Sequence, residues 1–372
     1  MIKSGKMHVR TAVLPLFLLL TIIPFVLALL PPLVLTNNAN TTIVDMTGRH
    51  VSVVLPAKHV IILPLILADY IAIDQSSDHI FAISGRNAEA AKDGLIGKMF
   101  PSTMRLPVTG QTVYPDDPER LIQLQADAIF ALDERSEVLD AIGMRSLIKV
   151  RLSDGSLPNR SVVWKLIGQV SGKDQRAEML VRFHEERRAI LKAMFEGTEV
   201  APVRITILNG GNSGWWIANS RKYYLNPLLE SVKAINVGGP VFSTDSGSTL
   251  EQLLISDPDI VLLDSDSVSP HDVYTRPEYR TLKAVRSRKV YSLPAHKDSS
   301  ALTQELLSFW LADVCYPDKF PRRLRYQYRN AYREEFDYML SDEEIDQILR
   351  IKENAESAGY SRFNRDEATR IE

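Results

Sequence analysis

The amino-acid sequence predicts an α/β protein of two lobes joined by a single long helix. Three observations carry this expectation. Short apolar runs of the buried parallel-strand type alternate with helical stretches; the alternation occurs in two separate series; and a long, charged, helix-patterned segment lies between them. Of the 372 residues, 45% are hydrophobic and 24% charged, a balance that suits one large or two medium domains with ordinary cores.

The first series opens with Thr42-Ile-Val-Asp-Met-Thr-Gly48-Arg-His-Val-Ser-Val-Val54, which reads as a hairpin turning at Thr47-Gly48. Val60-Ile-Ile-Leu63, His79-Ile-Phe-Ala-Ile83 and Ala128-Ile-Phe-Ala131 follow as strands, with helices over 65–73 and 118–125. Residues 161–195 then place Val163, Leu166, Ile167, Val170, Met179, Leu180, Phe183 and Leu191 at helical spacing among many charges. This predicts one helix, although Gly168 and Gly172 are weak helix formers in its first half. The second series places strands at 203–208, 260–263 and 290–293, and helices at 225–233, 250–256 and 300–314. The expected divisions are an export segment (1–40), an N-terminal lobe (41–160), a linking helix (161–197), a C-terminal lobe (198–315) and a helical extension with its tail (316–372).

In that extension Tyr326, Tyr328, Tyr332, Phe336 and Tyr338 recur along a helical stretch, and their stripe is expected to cover a lobe rather than bind RNA. Ser341-Asp-Glu-Glu344 marks the start of a last short helix, with an N-cap and an acidic first turn. From Lys352 the chain is polar and is expected to fray. At the other end, Lys3, Lys6, His8 and Arg10 precede an uncharged apolar stretch over 11–35, an export signal. Cleavage as a signal and retention as a membrane anchor are both open. No cysteine directly follows the stretch, so attachment through a lipidated cysteine there is excluded.

Several chemistries lack their residues. Lys plus Arg number 44 against 46 Asp plus Glu, so no net field draws the molecule to nucleic acid. Cys315 is the single cysteine; it sits in an apolar helical run and is expected to be buried and inert. His50, His59, His79, His184, His271 and His296 form no i, i+4 pairs, which argues against a cage for a bare transition-metal ion. Asn209-Gly-Gly-Asn-Ser-Gly lacks the spacing of a phosphate loop, and Asp264-Ser-Asp-Ser lacks the glycine and glutamate that complete a calcium loop. No Ser/His/Asp motif or cysteine pair is visible, so no enzyme and no resident cofactor are expected.

The order of motifs resembles the Fe/cobalamin-type periplasmic-binding family, the substrate-binding components of ABC importers for ferric siderophores, haem, cobalamin and some oxyanions. The resemblance rests on Val44-Asp-Met-Thr-Gly-Arg-His50, Asp117-Pro-Glu-Arg-Leu-Ile-Gln-Leu-Gln-Ala-Asp127, Tyr224-Leu-Asn-Pro-Leu-Leu-Glu230 and Thr249-Leu-Glu-Gln-Leu-Leu-Ile-Ser-Asp-Pro-Asp-Ile-Val261. It continues through Ala284-Val-Arg-Ser-Arg-Lys-Val-Tyr291 and Phe309-Trp-Leu-Ala-Asp-Val-Cys-Tyr-Pro317. It implies two Rossmann-like lobes bridged by one long helix (the class III periplasmic-binding fold) with the ligand cleft between them. It also implies a monomer of the periplasm whose partners are a permease and its ATPase, and whose ligand is a small metal complex. Iron complexes are favoured because the extension resembles the carboxyl end of iron-importer members; cobalamin, haem, molybdate or tungstate, and a tethered sensor, are the alternatives. Glu119 and Glu251 each open a helix, where the dipole alone stabilises a carboxylate. The resemblance implies a second role for them, docking on importer arginines.

Ligands of such folds bind at loops after the strands' carboxyl ends. This points to Arg86 and Arg135 as grips for an anionic group, to one of Trp215 and Trp216 as a flat wall, and to Tyr114, Tyr223 and His296 as polar contacts. Solvated arginines and ordinarily packed aromatics are the competing reading of these residues.

Overall fold

The computed structural model describes residues 40–152, 157–211, 214–217, 225–238, 250–295, 301–320 and 323–365. The expected export segment lies outside them. No helix among the described residues is long and apolar enough to cross a membrane.

The chain opens with the antiparallel pair β1 (Asn40–Val44) and β2 (His50–Val54). Asp45 organises its turn: Oδ1 accepts from the Thr47 amide at 2.9 Å and the Thr47 hydroxyl at 2.7 Å, and Oδ2 accepts from Arg49 Nε at 3.0 Å. Burial opposes the charge on Asp45, but these donors outweigh it and hold the carboxyl below the usual carboxylate range. Then come β3 (Val60–Ile62), α1 (Leu67–Asp74), β4 (Ile80–Ile83), α2 (Gly85–Asp93), α3 (Pro118–Gln123), β5 (Ala128–Leu132) and β6 (Leu147–Val150). The four strands form a parallel sheet in the order β4-β3-β5-β6.

The expected single linking helix is two helices, α4 (Leu157–Ser171) and α5 (Asp174–Phe195). The break has a local cause. Gly172 adopts φ of 71°, a left-handed conformation that few other residues tolerate. The Lys173 amide then donates to the Gly168 carbonyl at 2.7 Å, and the Gly172 amide to that of Gln169 at 3.4 Å. This is the Schellman pattern that ends a helix.

The second lobe comprises β7 (Val203–Gly211), β8 (Gly214–Ile217), α6 (Asn226–Ser231), β9 (Ala234–Asn236), α7 (Leu250–Ser256), β10 (Ile260–Asp264), α8 (Pro270–Thr275) and β11 (Val290–Ser292). Its sheet runs β11-β10-β7-β8, with β9 also on β7; all pairings are parallel except the β7–β8 hairpin. The second lobe ends in α9 (Ala301–Cys315), and the extension supplies α10 (Leu324–Phe336) and α11 (Asp342–Ile348). Cys315 is buried, and burial pushes its thiol up to about 12.

Strand alternation divides the core into layers. Ile62, Phe130 and Ile148 of the first sheet and Ile205, Ile207 and Leu262 of the second share one apolar cluster with Trp164, Ile167 and Trp310. Ile61, Ile129 and Leu147 face a separate outer cluster with Leu121, while Val261 and Leu263 face another with Leu253. The central cluster therefore spans both lobes.

Of the aromatic stripe, Tyr328, Tyr332 and Phe336 are buried as expected, Tyr338 is half-buried and Tyr326 is exposed. The polar tail corrects the expectation of fraying: Asn354, Tyr360 and Phe363 are buried as well. Asn354 accepts from the Ser292 amide at 2.7 Å and donates to the Ser292 carbonyl at 3.0 Å. Its amide group thus closes the open edge of β11 as a further strand would. Tyr360 takes the indole proton of Trp310 at 3.0 Å.

Charges are buried where the helices cross. Asp69 of α1 pairs with Arg160 of α4 at 2.7 Å and accepts from Trp164 Nε1 at 3.1 Å. His184 of α5 lies 2.7 Å from Glu305 of α9 and 2.9 Å from Glu335 of α10. Burial alone disfavours the imidazolium, but Glu335 and Glu305 outweigh it and push its pKa up to about 9. A histidine with a raised folded-state pKa stabilises fully below its unfolded value of 6.5 and loses that contribution as pH rises toward 9. Thermal melts are therefore expected to show the melting temperature falling between pH 6.5 and 9. His184→Gln should flatten this limb, and a variant with the wild-type slope refutes the assignment.

Candidate functional site

The carboxyl ends of the first sheet are set by one buried amide. Asn87, on α2, donates through Nδ2 to the carbonyls of Ile62 at 3.1 Å and Pro64 at 2.7 Å and to Ser84 Oγ at 3.0 Å. Ser84 is the N-cap, its hydroxyl accepting the Asn87 amide proton at 3.3 Å. The loop after β3 and the turn after β4 are thereby locked together. A second lock is steric: the Gly85 amide donates to the Gly110 carbonyl at 2.6 Å, and a Cβ on Gly85 would lie 2.5 Å from that oxygen. Glycine alone permits this approach, which holds the 110–114 loop beside the start of α2. At the end of β5, Arg151 pairs with Asp133 at 2.8 Å, tying the turn that contains Arg135 to the end of β6.

Residues after β10 and β11 contribute to a cavity of ≈ 500 Å³ that touches the first lobe at the end of α2, away from these loops. Asp93 and Leu95 border it from one lobe, Val268 and Ala295 from the other, and Tyr332 and Gln347 from the extension. Several of its charges are paired within the protein. Arg350 pairs with Asp266 and donates to the Ser265 carbonyl at 3.2 Å, and Glu344 accepts from Lys98 and from the Tyr338 hydroxyl at 2.6 Å. Burial opposes charge on Glu344, but bonds from Lys98, Tyr338 and Ser341 hold its pKa at about 2. Lys98 belongs to the first lobe, so this pair joins the extension to it.

The structure brings some of the expected contacts together. Arg86 is exposed beside the 110–114 loop and pairs with Glu89 at 2.9 Å; Tyr114 is half-buried in that loop. Trp215 and Trp216 lie on β8, in register with Gly210 and Asn209 of β7, and their side chains fall outside the description, as does that of Arg135. Tyr223 and His296 lie outside the described residues. Glu119 and Glu251 are both exposed in the first turns of α3 and α7, apart from the residues of the cavity. Asn87 was not singled out from sequence, and Gly85 only as part of the candidate loop Ser84-Gly-Arg86. The small-residue turn Ser84-Gly85 directly after an apolar strand is the one signal that points to a tight strand-to-helix junction there.

Asn87→Ala leaves carbonyl oxygens of the β3 loop without their donor inside the protein. Urea denaturation is expected to show a loss of about 1–3 kcal/mol, the usual penalty for unpaired buried groups. An unchanged midpoint contradicts the locking role.

No family model and no curated protein matches the chain. Solved structures do. A periplasmic solute-binding protein from Veillonella parvula is 20% identical with a TM-score of 0.75, over 85% of this chain and 99% of that one. The molybdate periplasmic binding protein of Haemophilus influenzae is 16% identical with a TM-score of 0.66, over 81% and 99%. A periplasmic heme-binding protein of Vibrio cholerae is 15% identical with a TM-score of 0.55, over 70% and 99%. The chain has the two-lobed α/β fold of these periplasmic binding proteins.

Proposed function

We propose that this protein is the extracytoplasmic solute-binding component of an ABC-type importer. It captures a small iron complex, such as a ferric siderophore, and delivers it to a permease and its ATPase. The observation that carries the reading is the architecture: two parallel sheets share one central core and point loops from their carboxyl ends, the place where α/β folds hold ligands. The similarity to solute-binding structures supports it, and the iron assignment rests on the resemblance of the extension to iron-importer members. The protein works as a monomer, is exported to the periplasm and performs no chemistry on its cargo. Arg86 and Arg135 grip the anionic groups of the complex, with Tyr114, Tyr223, His296 and one of Trp215 and Trp216 as further contacts.

Glu119 and Glu251 dock the loaded protein on the importer, one in each lobe. Both are exposed, so charge reversal changes folding little. A carboxylate facing an arginine pocket becomes repulsive as lysine and loses association rate and register. Two experiments test the reading. Native mass spectrometry of protein purified from its own host is expected to show an iron-containing adduct, and an iron-free cargo overturns that assignment. Uptake into vesicles that contain the cognate permease and ATPase is expected to fall sharply for Glu119→Lys/Glu251→Lys, with ligand binding retained. Normal uptake by the double variant refutes docking through these residues.

A further inference from the structure

The segments around the two glutamates are the same module built twice. Asp127 and Asp259 occupy equivalent positions: each amide donates to the carbonyl of the residue that precedes the neighbouring strand or opens beside it, His59 at 2.9 Å and Arg204 at 2.8 Å. Each carboxylate accepts the amide of that same residue, at 2.9 Å and 3.0 Å. Two residues earlier, Gln125 and Asp257 both adopt positive φ, 47° and 31°. Leu121 and Leu253 are each 2% exposed and anchor their helices to an outer core cluster. These repeats follow from the fold. Two exposed residues repeat too: Glu119 is matched by Glu251, where the helix dipole also favours a carboxylate, and Ile122, 50% exposed, is matched by Leu254, 37% exposed, where no such demand acts.

We infer that each lobe presents a composite docking unit, a carboxylate with an aliphatic side chain one turn further on, and that Ile122 and Leu254 are contacts for the importer's membrane subunits. This rests on the reading that Glu119 and Glu251 dock. Residues i and i+3 share a helix face, so each glutamate and its aliphatic partner meet the same surface. Ile255, 72% exposed at i+4 from Glu251, widens the second unit. The partner's chemistry follows: a cationic group flanked by an apolar pocket, offered twice at matching separation. An apolar side chain beside each carboxylate would exclude water around the ion pair and so strengthen it. A second copy of this chain is a poor occupant, because its own units would set carboxylate against carboxylate.

The test measures binding of the loaded protein to the cognate importer in lipid nanodiscs by interferometry. Ile122→Ser/Leu254→Ser is expected to lower affinity at least about tenfold, with an unchanged melting temperature, because exposed positions contribute little to folding. Each single variant should lose part of that. Loss of binding by Glu119→Lys/Glu251→Lys with full binding by the serine variant overturns the inference and leaves the docking reading standing. Full binding by both variants refutes the docking reading itself. Sedimentation of the protein alone adds a further check: a dimer that the serine variant dissolves assigns the surface to self-association and overturns the inference.

Discussion

A histidine shut away from water between helices stays protonated only where carboxylates meet it, and His184 is met from two sides. Glu305 comes from α9 beside the second lobe's sheet, and Glu335 from α10 of the extension. Arg187, one turn along α5, reaches Glu334 at 2.7 Å and Glu335 at 3.0 Å, so carboxylates and cations alternate. Removing any one member leaves a buried charge uncompensated, which is far more damaging than never having built the set. The network therefore fixes the register of three helices at once. Trp164 carries the constraint across: its ring lies 4.3 Å from that of His184, and its indole nitrogen donates to Asp69 of the first lobe.

This spine has consequences for how the lobes move. The apolar cluster that contains Trp164 runs from the first sheet to the second, so separating the lobes widely would expose core and break charged contacts together. Arg176 adds backbone ties, donating to the Ala72 carbonyl of α1 at 3.1 Å and to the Glu334 and Glu335 carbonyls at 2.8 and 2.7 Å. Adaptation to a ligand is thus confined to the loops and to small rotations. In the proposed role such stiffness is useful, since two docking units on different lobes give register only if their separation is held.

Much of this architecture was legible in the sequence because burial imposes period. Every strand between β1 and β7, apart from β6, coincides with an apolar run read from the pattern, and Ser341 with Glu344 forms the capping box that its spacing implies. What escaped has a common physical origin: the signal lay in one residue's backbone or in partners far along the chain. Gly172 reads as a weak helix former, while its left-handed φ is what divides α4 from α5. The tail after Lys352 reads as solvated because it is polar, yet Asn354 spends its polarity on the edge of β11, 62 residues away. The same holds at the site. Arg86 was visible as a charge just after a strand, whereas Asn87, which shapes the neighbouring turns, is an amide whose four acceptors come from two segments, residues 62–64 and Ser84.

The two lobes differ in what their shared module leaves exposed, and the difference carries information. Buried positions repeat because a helix that leads into a parallel strand must seat one leucine and turn sharply before an aspartate, wherever it occurs in the chain. Gln123 and Ile255 stand at equivalent exposed positions and do not match, nor do Arg120 and Gln252. The acidic residue at the start of each helix is favoured by the dipole in any case, so the aliphatic residue repeated in both lobes is the exposed feature that folding leaves unexplained. A fold of two like lobes needs no such symmetry on its outside; a partner made of two like halves does. In the proposed docking role the module's surface would answer to the shape of its partner, while its interior answers to the chain.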